Sequence, residues 1–162
     1  MHPALPQGPQ YYSWEDGETT MQTVETILET LQQHSSVVAV HLLVLTGQND
    51  ADSYSRKSTR HAAETRASFK EFVALEIAAL EQRMSRFPQV TIHWMKPFDK
   101  PDTEAFTPLY VELVQVLSNE INLRPHVVEV DTLDAFELDD YHLLLSGRTQ
   151  LARQVVAWFD AL

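Results

Sequence analysis

Cysteine is absent from the 162-residue chain, so disulfides, thiolate metal sites and a thiol nucleophile are all excluded. Long apolar runs are missing too. The longest is about nine residues, against the roughly 20 that a membrane-spanning helix requires. The first residues, MHPALPQGPQYYSW, lack the basic start and apolar segment of a secretory signal. Together with the lack of cysteine, this favours a soluble, cytoplasmic protein. Basic residues are scarce as well: 12 Lys and Arg face 23 Asp and Glu, for a formal charge of -11. Nucleic acid is therefore a poor partner, because affinity for it rests mainly on basic contacts to phosphates. A local patch at Arg56, Lys57, Arg60, His61 and Arg66 is the exception. No helical pair of histidines four apart is present, and nothing in the sequence calls for a metal or another cofactor.

What the chain does have is a substantial apolar fraction, 44%, enough for one domain with a real core. Its focus is VVAVHLLVL, residues 37–45, with eight apolar side chains around one His. Such continuity predicts the central strand of a parallel sheet covered on both faces. The strand breaks into Thr46, Gly47, Gln48, Asn49 and Asp50, so polar groups gather at its carboxyl end, where open α/β sheets place ligands.

Residues 1–18 are rich in Pro and Gly, with Tyr11, Tyr12 and Trp14 among them. They read as an irregular segment that docks on an apolar face of this domain or of a partner. Residues 19–162 form the α/β domain. A helix capped by Thr19 or Thr20 runs to about Gln33, with Met21, Val24, Ile27, Leu28 and Leu31 at helical spacing. Residues 46–62 read as a long polar loop. A helix over about 63–87 carries Phe69, Phe72, Val73, Glu76, Ile77 and Leu80 in its period. VTIHWM (90–95) and HVVEV (126–130) are further strands, separated by a helix over about 104–119. A last helix covers about 143–161. This alternation predicts right-handed crossovers and a short parallel sheet in a three-layer α/β/α sandwich. Three strands leave two sheet edges to be covered or paired.

Two clusters have chemical potential. Asp139 and His142, one helical turn apart, suit a carboxylate that orients an imidazole base; equally, Asp139 or Asp140 caps the final helix with His142 beside it. Asn49 and the Gly47 backbone suit donation to a developing oxyanion, or simply supply turn conformations after a strand. His41 reads as a buried, hydrogen-bonded core histidine, with His93 placed similarly in its own strand. A metal site combining them with His126 requires contacts that no close spacing enforces.

TGQND (46–50) after a buried strand resembles the G-x-N-D block of the SGNH (GDSL-type) hydrolases. DDYH (139–142), followed by LLLSGRTQLARQVVAWF, resembles that family's closing D-x-x-H block and terminal helix. The likeness spans residues 37–162 and implies a flavodoxin-like or SGNH-hydrolase-like sandwich. It also implies that Gly47 and Asn49 form an oxyanion hole and that Asp139 orients His142 to activate a serine. The family's opening G-D-S block, which holds that serine, has no counterpart. Ser13 is the nearest substitute, although no buried strand leads into it.

Three readings remain open. One is an SGNH-like domain without its nucleophile, acting as a structural or protein-binding module with itself or another chain as partner. Another is a serine esterase or acyl hydrolase acting on a small ester, with Ser13 or an externally supplied nucleophile. The third is a small α/β subunit of an assembly, its motifs coincidental.

Overall fold

The computed structural model describes Trp14 and residues 17–34, 36–57, 61–97, 107–131 and 145–162. Within them the order is α1 (Glu18–Gln32), β1 (Val40–Val44), α2 (Gln48–Lys57), α3 (Ala62–Met84), β2 (Val90–Met95), α4 (Pro108–Asn122), β3 (Val127–Val128) and α5 (Leu145–Asp160). The strands pair in parallel in the order β1-β2-β3. The protein is thus mixed α/β with a short open parallel sheet, compatible with a three-layer arrangement.

Register explains how the sheet divides its side chains. Val40 lies opposite Val90, Leu42 opposite Ile92, Val44 opposite Trp94, and Trp94 opposite Val127. Alternation along each strand puts these seven residues on one face, and all join the main apolar core. Helix α3 meets that core with a stripe of Phe69, Val73, Ile77, Leu80 and Met84, all buried. Helix α4 adds Tyr110, Leu113, Leu117 and Ile121. It starts at Pro108 rather than near residue 104, because Thr107 caps it by accepting the Tyr110 N–H (3.2 Å) and proline suits the first helical position. Met21 and Leu28 bring α1 to the same core. Arg83 of α3 fixes that helix by pairing with both Glu18 and Glu25.

Three expectations need correction. The strand after residue 37 is not central: among the described residues β1 pairs only with β2, and β2 is the middle strand. The apolar run reflects partial burial of Val40, Leu42 and Val44 against the core, with Leu43 half-covered on the other side, and His41 is exposed rather than buried. Residues 46–62 are not a loop throughout, since Gln48–Lys57 is helical. That helix has almost no apolar stripe, because Ala51 and Tyr54 are what it presents to the core. Asp52 and Arg56 pair at 2.8 Å one turn apart, as exposed helix residues do. Tyr54 packs between Phe69 and Phe72, with ring centroids 5.2 and 5.3 Å away.

Trp14 closes the core from outside the regular elements. It is 7% exposed and stands edge-on to Phe72 at 6.0 Å. Docking of the aromatic lead segment therefore holds for this residue, and the surface covered is the domain's own. Trp14→Ala is expected to cost about 3 kcal/mol or more. Urea denaturation of the full chain followed by circular dichroism measures it, and an unchanged midpoint would remove Trp14 from the core.

Candidate functional site

The carboxyl end of β1 is the place to begin, since the sequence puts its polar block there. Thr46 and Gly47 are buried, and α2 starts directly after them, with the Ala51 N–H bonded to the Gly47 carbonyl at 2.9 Å. Gly47 has φ +99°, a conformation side-chain-bearing residues avoid. A Cβ there would meet the two Leu117 methyls at 2.8 and 2.9 Å and the Trp14 ring at 3.0 Å. The glycine is thus required by both backbone conformation and close packing. Asn49, two residues on, is exposed in the first turn of α2. Asp50 is 1% exposed and accepts the Trp14 backbone N–H at 3.1 Å. Of the TGQND block, then, Thr46, Gly47 and Asp50 face inward and Asn49 outward. Ser13, Asp139 and His142 lie outside the described residues. No family model, curated protein or solved structure matches the chain.

Next to this strand end sits Glu76, the one acidic residue in the apolar stripe of α3 noted from the sequence. Burial raises its pKa first, and the charge of Asp50 raises it further. Glu76 also lines a cavity of about 80 Å³ between α1 and α3, with Trp14, Met21 and Arg83 among its walls. That volume is well under the roughly 300 Å³ where small-molecule sites begin. The buried Trp14 indole N–H has no partner among the described residues. The cavity suits water, not an ester.

A second constellation was only partly legible. Parity of the register places His41 and His93 on the sheet face opposite the core. His41 Nδ1 and His93 Nε2 approach to 2.9 Å, and the His126 ring lies 5.4 Å from that of His93 between centroids. The hint in the sequence was one histidine in each strand reading, but only pairing brings them together. Burial chiefly lowers the His93 pKa, and the neighbouring His41 and His126 lower it further. No group of three or more ligating side chains is arranged to hold a metal ion among the described residues.

The basic patch is offset where it is described: Arg56 pairs with Asp52 and Arg66 with Glu112.

Two variants test this geometry. Gly47→Ala combines a strained backbone with overpacking against Leu117 and Trp14, and is expected to destabilise by about 2 to 4 kcal/mol in chemical denaturation. Stability equal to the parent would mean the strand end is loosely packed. Glu76 has a raised folded pKa, so its contribution is fully present below the unfolded value and declines as pH rises through the folded one. Glu76→Gln should therefore stabilise the protein near neutral pH, by less than about 1 kcal/mol because the half-buried carboxylate is still partly screened by water. Near pH 4 the two proteins should coincide. A larger gain at about pH 4 than at pH 7 would contradict the assignment.

Proposed function

We propose that this chain is a non-catalytic, SGNH-hydrolase-like module that binds protein, and that the partner is a second copy paired through β1. The outer edge of β1 is the observation that carries the reading. Val40 bonds inward, its N–H donating to the Gln89 carbonyl at 2.9 Å. In a parallel ladder the alternate residues His41 and Leu43 then direct their backbone N–H and C=O away from β2. The stretch 37–46, VVAVHLLVLT, contains no Lys, Arg, Asp, Glu, Pro or Gly. It therefore lacks the charges and proline that normally keep an edge strand from pairing, and among the described residues no strand pairs with this edge. Val38, just before the strand, is 86% exposed.

Charge favours a copy of the same chain. At a net -11, most of the surface repels another copy, and this edge is a place without formal charge. Antiparallel pairing of β1 with β1 about a two-fold axis would give a continuous six-stranded sheet, a self-complementary contact.

The exposed Asn49 supports the alternative, an esterase using Asp139 and His142 with an unusually placed or supplied nucleophile. The tight packing around Gly47 and the small cavity beside it favour the module.

Sedimentation equilibrium at increasing concentration should give a dimer. Val38→Lys and Leu43→Pro, the latter removing an outward donor, should each shift it towards monomer with circular dichroism unchanged. A parent that stays monomeric at high concentration would remove the pairing proposal. Labelling by a fluorophosphonate, together with aryl ester hydrolysis lost in His142→Ala, would instead establish the enzyme.

A further inference from the structure

The sheet face opposite the core holds the three histidines, and α5 lies against it. Trp158 stands edge-on to the His93 ring at 4.8 Å, and Phe159 edge-on to His41 at 6.3 Å. The Asp131 N–H donates to Gln154 Oε1 of the same helix at 2.7 Å. His93 is 5% exposed, whereas His41 and His126 are exposed.

Two imidazoles 2.9 Å apart share one proton between facing nitrogens. One ring donates and the other accepts, so the contact needs at least one neutral ring. Protonating both facing nitrogens turns the bond into a like-charge contact beneath an apolar helix face. The groups that meet His93 from each side are His41 of β1, His126 at the start of β3, and Trp158 of α5. Among the described residues none of these is an anion, and His41 and His126 add to burial in drawing His93 towards its neutral form.

We infer that the His41–His93–His126 cluster is an acid-sensitive latch, whose protonation releases α5 from the sheet and uncovers the Trp158 ring. The sign follows from the depressed titration of His93. Its stabilising effect is complete above the ordinary histidine range and is lost as pH falls through its folded value. The latch is therefore closed at neutral pH and opens on mild acidification, within the range where histidine is the natural switch. Release would also enlarge an apolar surface that already includes exposed Val156 and Phe159. Pairing at the β1 edge is a separate matter, and this inference stands without it.

Hydrogen exchange read by mass spectrometry on the full chain, corrected for the intrinsic effect of pH, tests it. Between about pH 7.5 and pH 5.5, protection of residues 145–162 should fall severalfold, because protons are taken up on release of the helix. Protection in α3 and α4 should hold. His93→Phe keeps a ring under Trp158 and removes the proton site, so the pH dependence of α5 should flatten. Should that variant fail to fold, the double variant His41→Gln, His126→Gln removes the flanking charges and should move release to lower pH. Protection of α5 that stays constant over this range in the parent overturns the latch. So does a His93→Phe protein, or a double variant, whose α5 opens with the pH dependence of the parent.

Discussion

Trp14, Gly47 and Leu117 meet at the end of β1, and this contact fixes the rest of the arrangement. A glycine at φ +99° lets the chain leave the strand and enter α2 at once. The missing Cβ gives Leu117 of α4 and the Trp14 ring access to the backbone. Three parts of the chain far apart in sequence are thereby locked together: Trp14, the turn after the first strand, and the fourth helix. The Asp50 carboxylate ties the same junction by accepting the Trp14 N–H. Interiors tolerate little change of volume, so a junction of this kind leaves small room for a substrate.

Charge is arranged in two contrasting ways around that junction. At the periphery, Arg83 gathers Glu18 and Glu25, and Arg124 gathers Glu81, so acidic helices are held by shared guanidinium groups. Their planar, multi-donor geometry suits carboxylates better than an ammonium would. Beside that junction, burial and the Asp50 charge shift Glu76 towards its neutral form. On the far side of the sheet the same logic applies to bases. His93 sits between two other histidines, and burial favours its uncharged state.

The sheet therefore has two faces of different character. One is filled by Val, Leu, Ile and Trp side chains and packed by α1 to α4. The other carries the histidines, with α5 laid over them through aromatic rings. The first face supplies stability in the usual way, by removing apolar area from water. The second combines buried Met95 and Val128 with the histidine contacts. Between them runs the β1 edge, uncharged in a chain of strong negative charge.

Periodicity alone determined the alternation of helix and strand, the parallel sheet, and the apolar stripes of α1, α3 and α4. Spacing of apolar residues along a chain directly reports which side is buried. It did not reveal α2, whose inward face consists of Ala51 and Tyr54, too little to generate a stripe. Nor could it place β1 at an edge, since an apolar run records burial and says nothing about which neighbour provides it. Gly47 was legible as special, but the reason, the approach of Leu117 and Trp14, is a long-range contact. His41, His93 and His126 are dispersed over 85 positions of sequence and came together only through strand register. Tertiary pairing decided that cluster because the side of a sheet on which a side chain emerges depends on its partner strand's alignment, which no local pattern encodes.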